Sequence, residues 1–210
     1  MSRPLDHDHF AHLQAALSSV DHSWPSLERN SQEIVLFGSR AVGEGGTHSD
    51  WDILCVGSGR TRRTRRIDLL WVEPDDLSSG KWLSSEIASH IARYGRWLVG
   101  QPQWTRNVII NDDTLAAKRR WLKLKLSVWE RSWTLCSPRL RWRYAHAVRR
   151  NLQRYDLLAH GHPVPPSPTL DIGWKLNDRD EKTLNLLARQ SGAYSAFWVQ
   201  EILPIVKRRM

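Results

Sequence analysis

Apolar residues recur along this chain at two spacings, and the change from one to the other divides it. Phe10, Leu13, Leu17 and Val20 stand a helical turn apart, which predicts an amphipathic helix over 8–20 that Trp24-Pro25-Ser26 then breaks. Ile34-Val35-Leu36-Phe37 is a continuous apolar run that stops at Gly38, the pattern of a buried strand. Trp51 to Val56 reads as a second strand, closed by Gly57-Ser58-Gly59. Ile67 to Val72 reads as a third, with the basic stretch Arg60 to Arg66 as an exposed turn between the two. So short a link makes these two strands most simply antiparallel, while the first connection suits a crossover through a short helix.

From Leu83 onward the spacing is helical. Leu83, Ile87, Ile91, Tyr94 and Leu98 share one face, and Gly100 is placed to end that helix; Val108-Ile109-Ile110 would add one more strand. A long helix is expected over 114–135, with Leu115, Leu122, Leu126, Trp129 and Trp133 on one stripe. Another is expected over 140–159, with Ala145, Val148, Leu152, Tyr155 and Ala159. The proline-rich segment His162 to Pro168 reads as a loop, and two further helices are expected at 179–190 and 193–206. The fold class that follows is α/β (α+β), a small mixed sheet followed by a helical bundle. The expected boundary separates a domain over residues 1–110 from a helical domain over 111–210.

Composition sharpens this division. The net charge is +9, yet residues 1–110 hold 12 Lys/Arg against 13 Asp/Glu, whereas residues 111–210 hold 19 against 9. The excess positive charge therefore lies in the second half, which suits a polyanionic partner such as nucleic acid, or equally an acidic protein; a solvated helical surface is the plainer reading. The densest stretch, 118–154, carries twelve Lys/Arg and a single acid, Glu130, interleaved with Trp121, Trp129, Trp133, Trp142 and Tyr144. Trp129 and Trp133 lie on the apolar stripe and read as core, while Trp142 is left open. The chain lacks any run of about 18 apolar residues, so no membrane span is expected. Two cysteines, Cys55 and Cys136, and a polar N-terminus point to the cytoplasm.

The chemistry concentrates around the first three strands. Asp50 and Asp52, two apart, would project to the same side of the second strand, and carboxylates that close repel unless a cation sits between them. Magnesium suits them, because it takes oxygen ligands and is shared between carboxylates and substrate phosphates. Asp68, inside the apolar third strand, would complete a two-ion site and accept the proton of an attacking hydroxyl. Gly38 would let backbone approach a phosphate, Ser39 offers a hydroxyl and an N–H, and Arg40 either adds charge to that cradle or points to solvent. Each part alone is common: Asp-x-Asp is more often turn chemistry than a metal site. Their combination in this order is not.

Other clusters read more plainly. His7, His9 and His12 with Asp6 and Asp8 form a polar tail rather than a chelate, His90 is a surface or boundary residue, and Cys55 is a small apolar filler. The segment Asp171 to Glu181 reads equally as an acceptor-pocket lining or as a helix cap.

The stretch from Gly38 to Asp52, a Gly-Ser pair, a ten-residue gap and Asp-x-Asp, with Asp68 after a further gap, resembles the DNA polymerase beta-like nucleotidyltransferase superfamily over about residues 30–75. The resemblance implies that Gly38 and Ser39 hold a triphosphate, that Asp50 and Asp52 hold magnesium, and that Asp68 is the third carboxylate. It also implies in-line attack of an acceptor hydroxyl on the alpha-phosphate of a nucleoside triphosphate, ATP by family habit, with release of pyrophosphate. Within the superfamily, minimal nucleotidyltransferases adenylylate partner toxins, and kanamycin- and streptomycin-type enzymes modify antibiotics and carry a C-terminal helical domain. Polycationic aminoglycosides call for an acidic acceptor domain, whereas this one is basic, so a macromolecule, RNA or a partner protein as in toxin-antitoxin systems, is the expected acceptor. An antibiotic adenylyltransferase and a non-catalytic antitoxin-like binding module are the alternatives.

Overall fold

Alternation along the strand Trp51–Gly57 sends Trp51, Ile53 and Cys55 to one side of the sheet and Asp52, Leu54 and Val56 to the other, and two cores form accordingly. A computed structural model describes residues 5–132, 135–173 and Lys182, and it divides into two units between Ile110 and Asn111. In the first unit the order of elements is α1 (His7–Ser18), α2 (Trp24–Asn30), β1 (Ser31–Phe37), α3 (Gly38–Ala41), β2 (Trp51–Gly57), β3 (Arg62–Arg63), β4 (Ile67–Val72), α4 (Gly80–Leu83), α5 (Glu86–Tyr94) and β5 (Arg96–Val99), with short 3-10 turns at Pro74–Ser78 and Trp104–Asn107. One core joins Leu13 and Leu17 of α1 and Leu27 of α2 to Ile34, Leu36, Trp51, Ile53 and Leu69. The other packs Val35, Phe37, Leu54 and Val56 under Trp82, Ala88, Ile91 and Trp104.

The five strands lie in the order β3-β4-β2-β1-β5. β1 pairs antiparallel with β2 and with β5, whereas β2 and β4 are parallel. This corrects both expected connections. β3 takes the hairpin partnership with β4 through a turn in which Thr64 Oγ1 accepts from Arg66 N–H and Ile67 N–H, so the free edge of β4 left to β2 runs parallel to it. The link from β1 to β2 passes through α3 yet returns on the same sheet as an antiparallel neighbour, without a crossover.

Three further expectations also differ. Trp24-Pro25-Ser26 begins α2 rather than merely ending α1: Ser23 caps it, and proline is tolerated in a first turn that needs no N–H there. The expected helix running to Leu98 stops at Tyr94, and Arg96–Val99 turns into the edge strand β5. Val108-Ile109-Ile110 is not a strand. What fixes β5 is polar: the Glu33 carboxylate on β1 accepts from Trp97 Nε1 at 2.8 Å and from Trp104 Nε1 at 3.3 Å, tying both the edge strand and the 3-10 turn to the sheet.

The second unit contains α6 (Asp112–Ser132), α7 (Pro138–Ala159) and α8 (Ser167–Gly173). Leu122, Leu126 and Trp129 of α6, Ala145, Val148, Leu152 and Tyr155 of α7, and Leu170 of α8 are buried, as their spacing requires. Arg150 forms a two-pronged ion pair with Asp171, at 3.0 and 2.6 Å, which pins α8 to α7. Trp121 faces outward with Lys118 and Lys125 over its ring, at 5.4 and 5.5 Å. Trp133, the side chain of Trp142 and the helices expected at 179–190 and 193–206 lie outside the described residues, as does most of the Asp171 to Glu181 segment.

Glu33→Ala removes the acceptor of two indole N–H groups, so it is expected to destabilise the protein by about 1–3 kcal/mol in urea unfolding; an unchanged midpoint would remove Glu33 from this role.

Candidate active site

Strand register sets the site. Phe37 on β1 stands opposite Asp52 on β2, and Asp52 stands opposite Asp68 on β4, so one row across three strands carries two carboxylates and ends at the residue before Gly38. Asp50 immediately precedes β2. Gly38 has φ +70°, and a Cβ on it would collide with Asp52 Oδ2. The backbone thus passes directly over the Asp52 carboxylate, an approach open only to glycine. The Ser39 hydroxyl, one residue on, has no hydrogen-bond partner among the described residues.

The electrostatics record the crowding. Burial, then the neighbouring Asp50 and Asp68 carboxylates, pushes Asp52 up to about 7, against the pull of Arg63 and Arg40. Asp68 is also raised, mainly by burial and further by Asp50, with Arg63 opposing. Both are therefore better proton acceptors than an ordinary carboxylate.

Of the six residues that the sequence singles out, the structure brings Gly38, Asp50, Asp52 and Asp68 together, with Ser39 beside them. Arg40 goes elsewhere. Its Nε donates to Ser49 O and Asp50 O, both at 3.1 Å, its Nη2 donates to Ser49 O at 2.7 Å and Gly46 O at 3.2 Å, and its guanidinium stacks on Trp51 at 4.4 Å. Arg40 straps the loop that delivers Asp50; Gly45 has no room for a Cβ because this side chain lies against it.

Two residues join the site that sequence reasoning passed over. Arg63 Nε lies 3.3 Å from Asp68 Oδ2, because Arg63 of β3 is the register partner of Asp68. A two-residue strand inside an arginine-rich stretch leaves no periodicity to read. His90 of α5 accepts the Gly38 N–H at Nε2, 3.2 Å away, and sets its ring edge-on to Phe37. Its only sequence signal is its place three residues after Ile87 on a helix that covers the sheet.

A divalent cation suits this donor set. Burial first, and then the Asp50 and Asp68 carboxylates, push Asp52 up to about 7, and the like-charge part of that shift is what a cation relieves. Among the described residues no three acidic, histidine or cysteine side chains close into a ready-made cage. Magnesium usually keeps part of its shell for water and substrate phosphates. Asp50, Asp52 and Asp68 would be its protein ligands.

Because the raised pKa means that the folded state keeps a proton the unfolded chain releases, the Asp52 contribution to metal-free stability is fully present below about pH 4 and is lost as pH rises through about 7. Asp52→Asn is accordingly expected to stabilise the metal-free protein by about 1–2 kcal/mol above that range, less than the full linkage value because Asp52 is partly solvated, with the gain vanishing in acid. Thermal melts across pH would reveal it, and a destabilised variant at high pH would contradict the crowding. Gly38→Ala is expected to cost about 1–3 kcal/mol from its left-handed backbone alone, and to displace Asp52. A wild-type melt with wild-type nucleotide affinity would show that the close approach is unnecessary.

A family model described as nucleotidyltransferase domain matches residues 17–112, a span holding all six residues above. No curated protein matches the chain. Among solved structures, a chain of the "Crystal structure of the toxin-antitoxin with AMP-PNP" is 19% identical, over 49% of this chain and 89% of that one, with a TM-score of 0.27. Residues 17–112 thus belong to the nucleotidyltransferase domain family, and the protein is a transferase of the nucleotidyltransferase type.

Proposed function

We propose that the protein transfers a nucleoside monophosphate, AMP from ATP by the habit of the family, onto a hydroxyl of a macromolecular acceptor in the cytoplasm. Residues 1–110 are the catalytic part in this reading, and residues 111–210 position the acceptor. The observation that carries it is the convergence of Gly38, Asp50, Asp52 and Asp68 at one edge of the sheet.

Gly38 and Ser39 would bind the triphosphate, the first by close backbone approach and the second by its unpartnered hydroxyl. Asp50, Asp52 and Asp68 would hold two magnesium ions, whose chemistry when bound is to neutralise charge on the phosphates and on the attacking and leaving oxygens. Asp68, raised by burial and steadied by Arg63, is the residue to take the acceptor's proton. Arg40 contributes by holding the Asp50 loop rather than by touching phosphate.

The basic second unit, with Trp121 presented between two lysines, supports an anionic macromolecule over an aminoglycoside. Both RNA and an acidic partner protein satisfy that charge. Each alpha-labelled nucleoside triphosphate, mixed with magnesium and the protein, would be offered to bulk RNA, to lysate proteins and to an antibiotic panel. Label is expected on RNA or protein, and Asp68→Ala should lower it by roughly 10²–10⁴-fold. Label on an antibiotic would replace the acceptor class, and transfer undiminished in Asp68→Ala would remove that residue from the chemistry.

A further inference from the structure

On the sheet face opposite the Asp52 carboxylate, α1, the 45–51 segment and the turn between β3 and β4 enclose a cleft of about 740 Å³, within the range of small-molecule sites. Its walls carry Arg65 and Arg66 from the turn, His9 and His12 from α1, His48 from the loop, and Arg40 behind them. Among the described residues no acidic side chain lines it. The Asp6 carboxylate lies 2.7 Å from Nδ1 of the lining residue His9.

The cationic groups here are largely unspent. The side chains of Arg65, Arg66, His12 and His48 have neither ion pair nor hydrogen bond among the described residues. The frame is rigid by comparison: Trp51 is buried beneath, Arg40 stacks on it and bonds three loop carbonyls, and the Trp51 N–H donates to Arg66 O at 2.8 Å. Arginines and imidazoles on one wall, with Asp6 already engaged by His9, suit pyrophosphate or the successive phosphates of a strand, which offer these several donors more oxygens and charge than a single carboxylate does.

We infer that this cleft is a second anion site, separate from the carboxylate edge, that takes phosphate esters. The same chemistry comes from two sources, a free nucleotide or pyrophosphate, and the backbone of a nucleic-acid strand. The site shares none of Gly38, Ser39, Asp52 and Asp68, so it stands whether or not those residues transfer a nucleotide. It does share a wall with them: Ser49 and Trp51 face the cleft, and Asp50 lies between the two.

The test is histidine side-chain NMR on the full chain in EDTA, which keeps cation-dependent binding at the aspartates silent. Inorganic pyrophosphate is expected to shift His12 and His48 signals saturably while His22 stays still, and Arg65→Ser with Arg66→Ser should weaken that binding at least roughly tenfold. A His12→Gln variant, read through His48, gives the same answer if the arginine pair proves poorly folded. A short single-stranded oligonucleotide that shifts the same signals and competes with pyrophosphate identifies a strand backbone as the source. Pyrophosphate and mononucleotides binding without the oligonucleotide identify a free ligand. Absent or unsaturable shifts at His12 and His48, or unchanged affinity in a folded arginine variant, would overturn the site.

Discussion

The structure depends on one register, the row Phe37–Asp52–Asp68 across β1, β2 and β4. Those three strands bring residues separated by up to 31 positions in the chain onto a line a few ångströms per step, and the apolar alternation that buries Leu54, Val56 and Leu69 locks it. A slip of one residue would turn Asp52 into the apolar core under α1 and α2, at a cost far above what a partnered surface carboxylate bears. Core packing therefore aims the acids, and their mutual repulsion is an expense that the core carries.

That expense explains the surroundings. Asp52 is held under the Gly38 backbone, Asp68 takes Arg63, and Arg40 ties down the loop before Asp50, so each acid is fixed by a different element. His90 fixes the fourth part by accepting the Gly38 N–H from the helix above. Like charges held together in this way cost stability in the empty protein, the usual cost of a preorganised site.

Much of this was legible in sequence. Continuous apolar runs marked β1, β2 and β4, and a charged residue inside Ile67-Asp68-Leu69 was a local contradiction, the usual trace of a functional group. Strand direction was not legible, because two-residue β3 leaves no periodic signal yet takes the hairpin pairing that loop length assigned to β2 and β4. The edge strand was hidden for a different reason: Leu98 continues the helical spacing of Ile91 and Tyr94, and only Gly95 and the contact of Trp97 with Glu33 divert it. Arg40 illustrates the limit for sites. Its position beside Gly38-Ser39 suggested phosphate or solvent, while its hydrogen bonds to the carbonyls of its own loop are invisible in a linear reading.

The most direct measurement is calorimetric titration of the protein with a non-hydrolysable ATP analogue, with and without magnesium, in the wild type and in Asp50→Asn/Asp52→Asn. If the crowded carboxylates form a cation-dependent triphosphate site, the wild type binds only with magnesium and the double variant loses that binding. Equal affinity without magnesium, or an unaffected double variant, would contradict the account.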